Sequence, residues 1–236
     1  MELVLAAAVM LVASAVQGSV GFGANLIAVP ALVLIDPRLV PGPALVAVAG
    51  LNLLMVARDG NATSLRPLGT VLGGRLAGTV IGVLALTAIG PQGLELLVGS
   101  TVLVAVALTA TGLQVERTRR NLVTAGAVSG FGASTAGIGG PPLAVLYADA
   151  EGPEIRGAMG VLFSVGNVLS LVGLAAAGIL DRQGVGLGLI LAPAALVGFG
   201  VSSRVVPFLD RGRTRPAVLT LSAGAGVVVL ARLALG

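Results

Sequence analysis

Long apolar runs broken by short polar or glycine-rich segments dominate this chain. The runs lie at about 3–16, 24–35, 42–57, 68–89 and 94–113. After a polar linker, Gln114 to Asn121, they resume at about 122–134, 138–148, 156–180, 185–206 and 216–235. A full helical crossing of a bilayer takes about 20 apolar residues, and a run of roughly 10–14 reads as a re-entrant or buried piece. In each half the first two runs are short and flank a glycine-rich break, while the other three are mostly long enough to span. Residues 42–57 are the marginal case. The pattern predicts an all-α integral membrane protein of two homologous halves, 1–113 and 122–236, joined by a cytoplasmic linker at 114–121. Each half holds a broken, re-entrant half-helix pair plus three transmembrane helices.

The breaks occupy matching places. The first reads Gln17-Gly18-Ser19-Val20-Gly21-Phe22-Gly23-Ala24-Asn25, with Pro30 following, and the second runs from Ser129 through Gly137-Ile138-Gly139-Gly140 to Pro141-Pro142. One shift of the numbering lays Gly18 on Gly130 and Pro30 on Pro142. Asn52 and Asn167 both fall in the next helix once a short insertion is allowed, and Gly78 and Gly198 fall in the one after. Unpaired backbone groups in hydrocarbon cost several kcal/mol each, so non-helical chain survives there only inside protein or beside a water-filled cavity. Paired breaks in two halves point to a secondary transporter's binding site.

Charge then selects a topology. All fourteen basic residues are arginine, and cytoplasmic loops carry the positive excess. If each broken pair makes an even number of crossings, the halves are inverted. Arg58, Arg66, Arg117, Arg119, Arg120, Arg156, Arg204, Arg211, Arg213 and Arg215 then lie inside, with only Arg38, Arg182 and Arg232 outside. Parallel repeats of eight spans strand four of the inside arginines, so the inverted arrangement is favoured.

The chain is 56% hydrophobic and 10% charged, against roughly 25% charged in a soluble domain. The net charge of +4 reads as loop arginines of a membrane protein rather than a nucleic-acid surface. Met1 to Gln17 imitates a signal peptide, but Glu2 and the lack of an early basic residue argue against cleavage. Without cysteine or histidine, thiolate–zinc sites, disulfides and the commonest general base are excluded. No carboxylate falls in mid-span, Glu95 only starting one, so the usual proton-relay side chains are missing. A chain without lysine has no phosphate-binding Gly-Lys loop. No cofactor or metal is implied, and an enzyme is disfavoured.

The Gly-Phe-Gly-x-Asn-Leu-Ile-x-x-Pro run at 21–30 and the Gly-Ile-Gly-Gly-Pro-Pro run at 137–142 resemble the sulfite exporter TauE/SafE family, also called the four-toluene sulfonate uptake permeases. The resemblance covers essentially the whole chain. It implies a multi-pass permease of the bacterial inner membrane whose relatives handle sulfite, sulfoacetate and other small sulfur-containing or organic anions.

Several residues could carry the chemistry. A half-helix starting near Pro141 leaves peptide N–H groups and a partial positive charge facing Gly137, Gly139 and Gly140. Gly21, Phe22, Gly23 and Asn25 prepare a comparable start in the first half. Close helix packing is the competing use of such glycines. Arg75 is the one arginine well inside an expected span; it either faces a cavity or snorkels to the interface. Asn52 and Asn167 either line a pocket or tie helices together, and Gln17, Ser129, Ser134 and Thr135 either donate to a ligand or satisfy freed backbone groups. The expected partners are a small anion and the lipid bilayer, with no nucleic acid, and a homo-oligomer is compatible. The leading function is anion transport with the substrate held at the two breaks; an anion channel and a non-transporting membrane subunit are the alternatives.

Overall fold

The computed structural model describes residues 1–89, 91–111 and 113–209. Nine α-helices and no strand occur among them: α1 (Glu2–Val20), α2 (Ala24–Ile35), α3 (Gly42–Asp59), α4 (Leu65–Ala88), α5 (Pro91–Thr111), α6 (Arg119–Ala136), α7 (Gly140–Leu146), α8 (Gly152–Ala176) and α9 (Arg182–Leu209). Five described stretches are long and apolar enough to cross a bilayer, within α1, α3 with its trailing turn, α4, α8 and α9. Leu53, Leu84, Val168, Val172, Leu189 and Ile190 are exposed on them, as lipid-facing side chains should be. The run at 216–235, Asp210 and Arg211, Arg213, Arg215 and Arg232 lie outside the described residues, as does the side chain of Glu95.

Glycine and proline punctuate the helices as their backbone preferences require. α3, α7 and α8 each open with proline in the first turn, where its missing N–H is no loss. α1 stops at Gly21 (φ 102°) and α6 at Gly137 (φ 74°), both left-handed, a C-cap that suits a residue without Cβ.

The leading helix of each broken pair is longer than its apolar run. α1 has 19 residues and α6 has 18, so neither is a half-helix. Polar Gln17 and Ser19 end the apolar run at 3–16, but both are buried in α1 with partners for their side chains. Helix α6 also starts at Arg119, so Arg119, Arg120 and Asn121 belong to it rather than to the linker. The trailing members are short, 12 residues in α2 and seven in α7.

The packing is reciprocal. Helix α4 lies along α6, and α9 lies along α1. A Cβ on Gly74 would strike the Val123 carbonyl, and one on Gly198 the Leu11 carbonyl. Leu11 and Val123 stand in the same register as Gly18 and Gly130, so the partner of Gly198 in this packing is Gly74, one turn before Gly78. Backbones approach this closely in membranes through such small residues.

The same contacts fix helix directions. Gly74 meets Val123 and Gly78 meets Ala127, so α4 and α6 run the same way. Gly198 meets Leu11 and Gly18 meets Ser202, so α1 and α9 agree, and Gly188 against Val46 with Gly50 against Leu196 adds α3 to them. Gly166 meets Arg75 and Gly173 meets Val83, placing α8 with α4. Gly157 lies at Asp59 while Asn167 reaches Leu45, so α3 and α8 are antiparallel. Helices α1, α3 and α9 therefore point one way, and α4, α6 and α8 the other.

Candidate functional site

The two breaks meet in the interior. Asn25, in the first turn of α2, donates from Nδ2 to the Gly137 carbonyl at 2.8 Å. Phe22 lies against Gly140, where an added Cβ would sit 3.4 Å from the Phe22 Cβ. The starts of α2 and α7 thus converge on a cavity of about 40 Å³. One buried water needs about 10–15 Å³ on this measure, so the space suits about three waters or one small anion. Asn52, Arg75 and Asn167 line it from the middle of α3, α4 and α8.

Arg75 dominates the electrostatics. It stands well inside α4, is 2% exposed, and does not snorkel to a helix end. One guanidinium nitrogen, Nη1, donates to Ser129 Oγ at 3.1 Å, and Nε has no partner. Its carbon lies 5.7 Å from the Phe163 ring centroid. Among the described residues no carboxylate pairs with it. An arginine at the centre of a spanning helix costs at least about 2.5 kcal/mol, so an unneutralised one needs a purpose. Gly166 makes its position available, since a Cβ there would coincide with the guanidinium.

Amides furnish the rest of the wall. Gln17 Nε2 donates to Asn52 Oδ1 at 2.9 Å, while Gln17 Oε1 accepts from the Ala24 amide at 3.1 Å. One side chain thereby caps α2 and positions Asn52. Asn167 Nδ2 donates to the Leu45 carbonyl at 2.9 Å. Asn52 and Asn167 therefore do both things open to them, tying helices and lining the cavity. At the second break, Ser129 Oγ donates to the Gly139 carbonyl at 2.6 Å and receives Arg75.

Of the residues singled out from sequence, Gly23, Asn25, Asn52, Arg75, Gly137, Gly139, Gly140, Pro141 and Asn167 line this cavity. Gly21 and Phe22 do not; Gly21 packs on Arg156, and Phe22 closes over Gly140. Ser134 and Thr135 lie elsewhere, their hydroxyls returned to the carbonyls of Gly130 and Phe131 at 2.9 and 2.7 Å. That is the backbone-satisfying use of hydroxyls in helices. Sequence reasoning missed Phe163 and Gly166 and undervalued Gln17. A glycine directly before a mid-span asparagine, as in Gly166-Asn167, is the signal that could have exposed the cradle.

Two ionic clusters flank the site toward the ends of the helices. Asp59 accepts from Arg58 at 2.8 Å and Arg156 at 3.3 Å, and Arg58 also donates to the Gly18 carbonyl at 2.6 Å. Arg117, read from sequence only as a linker charge, donates to the Leu146 carbonyl, Glu154 and Asp149, and stacks 4.4 Å above the Tyr147 ring. It thereby fastens the end of α7 to the start of α8. Its guanidinium holds the Asp149 carboxyl below the usual carboxylate range.

Five helices long and apolar enough to cross a bilayer, packed around a cavity that holds a buried arginine, define a multi-pass membrane protein. A family model described as sulfite exporter TauE/SafE matches residues 6–229, and the chain belongs to that family of membrane transporters. No curated protein and no solved structure matches it.

Proposed function

We propose that this chain is a secondary transporter that moves a small oxyanion, such as sulfite or a small sulfonate, across a bacterial inner membrane, holding it in the cavity between the two breaks. The observation that carries the reading is Arg75: a buried, mid-span cation with an unpartnered Nε and no acidic neighbour among the described residues. Its planar fork suits two oxygens of one anion. Asn52, whose Oδ1 is occupied by Gln17, has its NH₂ left to donate beside it. Peptide N–H groups at the start of α2 add to the positive potential. The contribution of α7 is smaller than sequence suggests, because seven residues align few dipoles. The dimensions favour a sulfite-sized ligand over a bulky aromatic sulfonate.

Residues 1–113 and 122–236 are read as inverted repeats about the linker at 114–121. The opposed directions of α1 and α6, α3 and α8, and α4 and α9 support this, as does the reciprocal packing of α4 on α6 and α9 on α1. Arg58, Arg117 and Arg156 sit together at one end, which the positive-inside rule makes cytoplasmic. Rocking of one repeat against the other exposes the cavity to each side in turn.

Uptake into proteoliposomes of sulfite, sulfate, thiosulfate, sulfoacetate and simple carboxylates tests the assignment. Saturable uptake of the smallest oxyanions, falling with ligand size, is expected. Flux no greater than in protein-free vesicles for every anion, or flux that never saturates, overturns it.

A further inference from the structure

We propose that the cavity takes its oxyanion as a protonated monoanion, carrying one negative charge and one O–H, in preference to a dianion. This rests on the reading that the cavity binds a small oxyanion at all, and it goes further by specifying the ligand's charge and hydrogen.

Two hydrogen-bonding atoms in the cavity wall remain unused. Asn25 and Asn167 both line the cavity. Each spends its NH₂ group on a backbone carbonyl, Gly137 for Asn25 and Leu45 for Asn167. A carbonyl only accepts, so the orientation of each amide is fixed and each Oδ1 is left as an acceptor. Both Oδ1 atoms are buried without a partner, a costly condition that a bound ligand can relieve. The ligand must then satisfy two demands: negative charge for Arg75 and a hydrogen for an amide oxygen. A fully ionised dianion has acceptors only. It would set lone pairs against the amide oxygens and bring a second charge with no second cation among the described lining to meet it. A monoanion bearing O–H meets both demands, and its hydrogen finds an acceptor on either of two sides.

The surroundings supply no competing titration. Around the cavity α1 presents Gln17, α2 Asn25, α3 Asn52, α6 Ala133, α7 Pro141 and α8 Phe163 and Asn167; Arg75 on α4 is the one ionisable residue among the described lining. The next charged groups, Arg58, Asp59 and Arg156, are engaged with one another where α3 ends and α8 begins. Dependence of binding on pH therefore comes from the ligand. The proton stays on the ligand oxygen throughout and never passes to the protein. Each turnover thus moves one proton and one net negative charge in the same direction, with no relay of acidic side chains.

Isothermal titration of the purified full-length chain in detergent tests this, using sulfite over a pH series spanning the second ionisation of sulfurous acid. Methanesulfonate serves as a monoanion of similar shape without O–H, and sulfate as a dianion. Affinity for total sulfite should fall about tenfold per pH unit once the monoanion is the minor form, the slope for one bound proton. Methanesulfonate should bind about tenfold more weakly than sulfite at the acidic end, the loss expected of one hydrogen bond, and without a pH trend. Asn25→Leu and Asn167→Leu should narrow that gap. Sulfite affinity that is flat or rises with pH, or sulfate binding as tightly, overturns the protonated-ligand inference alone. Absence of binding by all three anions at every pH overturns the cavity reading itself. The pH series uses the wild-type chain, so it decides the question even where a variant misfolds.

Discussion

The two helix breaks occupy equivalent places and are built by different means. The first has two left-handed glycines, Gly21 and Gly23, at φ 102° and 109°, and an amide brace, Gln17 on the Ala24 N–H. The second has one, Gly137, and a hydroxyl brace, Ser129 on the Gly139 carbonyl. Only the second brace touches a cation, because Arg75 donates to Ser129. In the reciprocal packing Gly130 abuts the Arg75 backbone, whereas Gly18 abuts the Phe199 ring. Phe199 is thus the counterpart of Arg75, and Arg58 stacks on it at 4.7 Å. The helix pairs share a packing scheme while the buried cation of the cavity belongs to one of them. A cavity between helices that pack alike need not be lined symmetrically.

Substitutions at the breaks sharpen this contrast. The largest effect is expected from Gly140→Leu, which fills the cavity and should abolish flux with membrane insertion unchanged. Gly140→Ala should be tolerated, because its Cβ meets Phe22 and Phe163 at ordinary contact distances of 3.4–3.5 Å. Near-normal flux in the leucine variant, read in proteoliposomes, would count against the cavity. Gly166→Ala comes next: it evicts the guanidinium, and transport should fall at least about tenfold, the scale of one charge-assisted hydrogen bond. Thermal stability of this variant should fall less than its flux, and the reverse order would mark Gly166 as a packing residue only.

At the first break, Gly23→Ala forces a side chain into left-handed backbone at about 1–2 kcal/mol. This loss should appear mainly in thermal unfolding. Gln17→Leu removes a helix cap and the strut under Asn52, a loss of about 1 kcal/mol accompanied by weaker ligand affinity. The smallest effect is electrostatic. Hydrogen bonding from Arg38 lowers the folded-state pKa of Asp36. The stability this pair adds is complete above the unfolded carboxylate pKa of about 3.9 and is lost as pH falls through the lower folded value. Unfolding followed down to that range should show a slight decline that Asp36→Asn removes.

Much of this was legible in the chain. Clustered glycines inside an apolar run have few other uses, so the breaks and the starts of α2 and α7 stood out. Mid-span asparagines and Arg75 were conspicuous because hydrocarbon penalises them. The full lengths of α1 and α6 were hidden, because polar residues such as Gln17 look like helix ends until their tertiary partners are known. Gly166 was hidden for a related reason: one glycine among many reveals its purpose only when the guanidinium it accommodates is seen. For Ser134 and Thr135 the chain left two uses open, and their hydroxyls bond carbonyls a turn away.

The most direct test is the affinity of purified protein for sulfite in the wild type, in Arg75→Gln and in the counterpart Phe199→Leu, measured side by side. A loss of about 10- to 100-fold is expected for Arg75→Gln, matching a buried charged hydrogen bond, with little change for Phe199→Leu. Equal affinities in all three proteins would contradict that expectation.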